Sequence, residues 1–106
     1  MLAGLFLLLG TFVASAQELP TIRIVNNTGY TICYLFVSSS ESDDWGEDLL
    51  GEDVLEDGKT FTYKLSQPLN QFYDIVAEDE DGDTYYKWNV TITNNARIVF
   101  TLEDLE

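Results

Sequence analysis

The chain has 106 residues and carries 19 Asp and Glu against five Lys and Arg, a formal net charge of −14 at pH 7. A surface this acidic excludes nucleic acid, whose phosphates demand a basic footprint, and docking on anionic lipid; what it attracts is cations or a basic protein. There is no His, which removes the usual base of Ser and Cys nucleophiles and the commonest zinc ligand, so the expectation is a binding protein and not an enzyme.

Residues 1–10 are almost wholly apolar, and the run continues through Phe12 and Val13 to Ala14-Ser15-Ala16. A dozen apolar residues fall short of the about 20 needed to span a bilayer, and Ala14 and Ala16 fit the small-residue cleavage pattern. Residues 1–16 therefore read as a signal peptide cut between Ala16 and Gln17, and the protein is expected to be secreted or periplasmic, free of the membrane after cleavage. Residues 17–106 have the size of a single domain. Cys33 is the one cysteine, so it forms no internal disulfide. It reads either as a small buried hydrophobe, the preferred reading, or as half of an intermolecular bridge.

The remainder reads as short strands separated by turns. Residues 21–26 alternate Ile22 and Ile24 with Arg23, then Asn27-Thr28-Gly29 makes a turn. Residues 30–37 are apolar on both faces, which suits a central strand. Residues 38–57 break the pattern with nine carboxylates around Trp45-Gly46 and Leu49-Leu50; this reads as a long loop with a helical turn near residues 46–50. Asp57-Gly58 turns into residues 59–65, where Phe61, Tyr63 and Leu65 point inward, and Pro68 and Asn70 mark the next connection. Asp81-Gly82 is a two-residue type I′ hairpin signal, which sets Ala77 opposite Tyr86, Ile75 opposite Trp88 and Tyr73 opposite Val90. Residues 97–102 close the set, with Ile98, Phe100 and Leu102 on one side. The pattern predicts an all-β fold, a small antiparallel β-sandwich of about six or seven strands with one long acidic loop.

Two acidic segments are the candidate sites. In the hairpin tip, the predicted register sets Glu80 against Asp83, a repulsion that a Ca²⁺ held by Asp79, Glu80, Asp81 and Asp83 would relieve, since Ca²⁺ takes six to eight oxygens. The tip does not fit the EF-hand template, and the preferred reading is a solvated turn whose charges protect a sheet end. In the long loop, Asp43, Asp44, Trp45, Glu47 and Asp48 form a candidate binding surface, with Trp45 as a partner anchor. The competing reading, that Trp45, Leu49 and Leu50 fold back as a plug on the sandwich edge, is preferred because large apolar side chains are mostly buried. Asn26 and Asn89 each open a glycosylation sequon, with Asn89 expected on an outward face.

Residues 24–30, Tyr34-Leu35, the segment Trp45-Gly46-Glu47-Asp48-Leu49-Leu50-Gly51, Val54-Leu55, Gly58, Tyr73-Asp74-Ile75 and Asp79-Glu80-Asp81-Gly82 together resemble a group of small, uncharacterised exported bacterial β domains. The Trp-Gly-x-Asp-Leu-Leu segment is the most specific part. The resemblance implies a bacterial exported protein and assigns no activity or functional residue; the cysteine pair common in that group is missing here. The expected function is a non-catalytic exported module whose acidic loops engage a basic protein, with a Ca²⁺-stabilised structural domain as the alternative. No cofactor other than Ca²⁺ is expected.

Overall fold

The computed structural model describes residues 19–65 and 72–106; the expected signal peptide and the Pro68–Asn70 connection lie outside them. Six strands are described: β1 (Thr21–Asn26), β2 (Ile32–Ser39), β3 (Thr60–Lys64), β4 (Phe72–Asp79), β5 (Thr84–Thr91) and β6 (Ala96–Phe100). They form two three-stranded sheets, ordered β3-β1-β6 and β2-β4-β5. The sheets bury one core between them, built from Ile22, Ile24, Ile98 and Phe100 on one side and Leu35, Tyr73, Ile75, Ala77 and Tyr85 on the other. This is the all-β sandwich that the strand pattern predicts.

One strand pair departs from the antiparallel expectation. β6 runs parallel to β1, with Ile24 beside Ile98. The cause lies in the turn before it. Asn95 takes φ 65°, a left-handed conformation that Asn tolerates, and its N–H donates to the Thr21 carbonyl at 2.7 Å while Asn94 Oδ1 accepts from Thr21 N–H. β6 therefore starts where β1 starts and must travel alongside it.

β2 is an edge strand and not the central one expected; β4 lies at the centre of its sheet. The apolar second face of β2 has no second layer over it, since Tyr34 is 47% exposed and Phe36 half-buried; the long loop instead runs back along the free edge. Leu49 N–H donates to the Leu35 carbonyl at 2.8 Å, and Ile32 and Leu55 exchange both backbone hydrogen bonds. Leu50 and Leu55 are buried in the core cluster, each worth about 1.5–3 kcal/mol of apolar burial. The loop thus covers an edge that would otherwise invite pairing with another chain. No helical turn forms at residues 46–50, because the backbone there is committed to β2. β2 also runs on to Ser39, so the loop begins at residue 40. Cys33 sits half-buried where the β2–β4 register slips between Ile32 and Tyr34.

The β4–β5 hairpin corrects the predicted register. The Gly82 N–H donates to the Asp79 carbonyl at 3.0 Å and the Asp79 N–H to the Asp83 carbonyl at 2.9 Å, enclosing three residues, Glu80-Asp81-Gly82, instead of two. Gly82 takes φ 83°, the left-handed position that closes such a loop and that favours glycine. Near the tip the partners are therefore Ala77 with Tyr85, Val76 with Tyr86 and Ile75 with Lys87. A bulge opposite Asp74, at Asn89 with φ 52°, restores Tyr73 to Val90. Every side chain of β5 between tip and bulge is turned to the face opposite to the predicted one. Tyr85 is fully buried and meets Phe100 edge-on at 6.4 Å, while Trp88 faces outward, 50% exposed.

After β6, Leu102 does not continue inward. Thr101 caps a single 3₁₀ turn, Leu102–Asp104, and Leu102 is exposed. At the other end of β1, Asn26 is fully buried with all its hydrogen-bonding capacity used. Its Nδ2 donates to the carbonyls of Tyr30 (2.7 Å) and Leu55 (2.8 Å), and its Oδ1 accepts from the N–H and hydroxyl of Thr28. The sequon side chain Asn26 is thus a core element, whereas Asn89 is exposed.

Candidate functional site

The two acidic segments divide their carboxylates between folding and solvent. At the hairpin tip Asp79 is only 2% exposed. Its Oδ1 accepts from the N–H groups of Asp81 (2.9 Å) and Asp83 (3.0 Å), and its Oδ2 from the Tyr85 hydroxyl (2.7 Å). A buried charge is tolerated only when paired or hydrogen-bonded, and these three bonds meet that need from within the fold. Asp79, Asp81 and Asp83 each place a carboxylate oxygen within 4.8 Å of the others, the one such group of acids among the described residues. Glu80 is not part of it: its Oε2 accepts from Thr31 N–H at 3.3 Å. The carboxylates of Asp81 and Asp83 are exposed.

Tyr85 records the chemistry of this corner. Burial, and then its hydrogen bond to the Asp79 carboxylate, push its hydroxyl up from 10.0 to about 12. Both effects disfavour the phenolate. Between these two values the unfolded chain has released a proton that the folded one retains, so stability falls as pH rises through that window and is fully present below it. The expected slope from this one group is at most about 1.4 kcal/mol per pH unit. Denaturant titrations from pH 9 to 12 on the protein and on Tyr85→Phe measure it; equal slopes in the two would refute the assignment.

In the long loop, Asp48 Oδ1 accepts from the N–H groups of Leu35 (2.9 Å) and Leu50 (3.1 Å). It pins the loop to the β2 edge, so the most specific part of the sequence resemblance has a structural duty. Glu47 and Asp43 are exposed. Asp44 turns the chain through its own Oδ1, which accepts from Gly46 N–H at 3.0 Å, while its carbonyl accepts from the hydroxyls of Ser38 and Ser42. Leu50 behaves as the expected plug. Trp45 does not enter the core; it lies half-buried on the outer face of the β2-β4-β5 sheet.

That face carries a feature sequence reasoning missed. Tyr86 and Trp88, two residues apart on β5, stack with centroids 4.7 Å apart and planes 8° from parallel. Trp45 leans on both, at 6.5 Å from Tyr86 and 6.1 Å from Trp88. The Trp88 indole N–H donates to Glu106 Oε2 at 2.8 Å, which fixes the ring. Toward β2 the surface continues through Phe36 and the 47%-exposed Tyr34, and beneath it Val76 is nearly buried. Beside the tryptophans opens a cleft of about 200 Å³ lined by Ser38, Ser42, Asp43, Asp44, Trp45, Asp74 and Trp88. Asp74 Oδ1 is held by the Ser40 hydroxyl (2.7 Å) and Asn89 N–H (2.8 Å). Asp79, whose carboxylate accepts from the N–H groups two and four positions ahead and so favours a three-residue loop, is the sequence signal that would have turned Trp88 outward.

The candidate residues therefore form two separate places. Asp44 is bonded to Ser38 at the end of β2, whereas the hairpin tip is bonded to Thr31 at its start through Glu80 N–H to the Thr31 carbonyl, 2.9 Å. Asp43 and Asp44 thus share no ion with the tip. Comparison with family models, curated proteins and solved structures finds no match.

Proposed function

We propose that the protein is a non-catalytic exported module that engages a basic protein partner through its acidic surface. The observation that carries this reading is the set of carboxylates that the fold does not use: Asp43, Glu47, Asp81 and Asp83 are exposed on loops, in a chain whose net charge is −14. Such a field accelerates encounter with a cationic partner and makes the rate salt-sensitive. A basic cell-wall hydrolase is one partner of the required charge. The paired variant Asp81→Asn/Asp83→Asn removes charge from the tip without touching Asp79. In stopped-flow association with a basic muramidase we expect the rate to fall about threefold or more at low salt, with a flatter salt dependence. Unchanged association kinetics would contradict the reading.

The second reading, a Ca²⁺-stabilised structural domain, is favoured by the proximity of Asp79, Asp81 and Asp83. It requires Asp79 to share oxygens that already accept three hydrogen bonds, and it lacks Glu80. For that reason it stands second.

A further inference from the structure

We propose that the cleft bounded by Trp45, Trp88, Asp43, Asp44 and Asp74 is the seat of a Lys or Arg side chain of the partner, an inference that rests on the basic-partner reading above. The cleft combines two indole rings with three carboxylates, and no Lys or Arg among the described residues lines it. The one ion pair among the described residues, Lys87 with Asp104 at 3.1 Å, involves none of the cleft residues. An aromatic face attracts a cation within about 6 Å of its centroid, and neighbouring carboxylates add pairing and hydrogen bonds to an ammonium or guanidinium.

The site is also held in shape. Trp88 is fixed by Glu106 and by its stack on Tyr86. Asp74 is oriented through Oδ1, leaving Oδ2 without a bond among the described residues, and Asp44 likewise uses only Oδ1. The cleft offers about 200 Å³ beside the indoles, and its three carboxylates favour a cationic side chain over a neutral ligand. Charge complementarity therefore selects a basic peptide segment as occupant.

Trp45 and Trp88 are the only tryptophans in the chain, so tryptophan emission, excited selectively over the six tyrosines, comes from the two rings that line this cleft. Labelled deca-lysine and deca-arginine are titrated into the full chain while label anisotropy and tryptophan emission are followed together. We expect both signals to change with one midpoint, and Trp88→Leu to weaken binding about tenfold. Asp43→Asn, an exposed residue with no hydrogen bond of its own among those described, should weaken it about twofold with the fold intact. A rise in anisotropy with unchanged emission and unchanged variants overturns the cleft assignment while leaving the basic-partner reading standing. No change in either signal overturns both. An emission change produced by a neutral hexasaccharide and by neither peptide overturns it in favour of a sugar site.

Discussion

Asp79→Ala is expected to destabilise the domain by about 3 kcal/mol, whereas Asp81→Ala and Asp83→Ala should each stay within about 0.5 kcal/mol. The contrast follows from burial. Asp79 anchors the hairpin loop through two backbone N–H groups and caps the buried Tyr85 hydroxyl; its neighbours are exposed. Hydrogen bonds to charged groups contribute about 1.5–3 kcal/mol each, but two of the three released donors lie in a turn that water reaches, so the sum is not additive. Asp79→Asn keeps an acceptor for the two N–H groups and should lose less, about 1 kcal/mol. Denaturant midpoints for the four variants test this. If Asp81→Ala or Asp83→Ala costs as much as Asp79→Ala, and does so only when Ca²⁺ is present, the tip is an ion site and the division of labour drawn here is wrong.

Asn26→Ala should cost about 3–4 kcal/mol, a large fraction of the roughly 5–15 kcal/mol that holds a native domain together. The side chain joins three segments: the end of β1, the turn that leads to β2, and Leu55 of the long loop. Its removal takes one donor from each of the Tyr30 and Leu55 carbonyls, which keep the Thr28 hydroxyl and the Ile32 N–H, and leaves the N–H of Thr28, itself buried, without its acceptor. Asn26→Asp is no substitute. It would present a carboxylate oxygen to two carbonyl oxygens, so it should be at least as damaging as Ala. Urea midpoints falling with an unchanged m-value would locate the loss in the native network; a shift below about 1 kcal/mol would mean that water replaces the lost amide.

The outline of the fold was legible because strand periodicity and turn residues are local. β1 alternates Ile22 and Ile24 about Arg23 and is observed as residues 21–26, with Val25 and Asn26 buried as well, and the two-sheet sandwich follows from the spacing of turns. The hairpin register was not legible from the Asp81-Gly82 pair, because Asp79 decides it: a side chain accepting from residues two and four positions ahead favours a three-residue loop. That one residue reverses the faces of Tyr85 and Trp88. The candidate site suffered directly, since Trp88 and Tyr86 were assigned to the wrong faces and the aromatic cluster stayed hidden. Edge and centre were confused in β2 for a related reason. Apolar residues on both faces read as a strand covered twice, but the second face carries Tyr34 and Phe36 on the outer aromatic surface, and the free edge is taken by the long loop. Of the acids singled out in the sequence, Asp48, Asp79 and Glu80 hold backbone groups. Burial sorts Asp48 and Asp79 from Asp43, Glu47, Asp81 and Asp83, and composition could not; Glu80 is exposed and is set apart only by its bond to Thr31 N–H.

The most direct test is a set of thermal melts of the protein at fixed ionic strength in deca-lysine, in Ca²⁺, in Mg²⁺ and in chelator. A ligand that binds the native state stabilises it by RT ln(1 + [L]/Kd), about 2.7 kcal/mol at a hundredfold excess over Kd, which for a domain of this size raises Tm by roughly 10–20 °C. The acidic, aromatic surface described here predicts a rise with deca-lysine and coincident melts in Ca²⁺, Mg²⁺ and chelator. A Ca²⁺-specific rise with none from the cationic peptide would contradict it and make the carboxylates of the hairpin tip ligands to an ion.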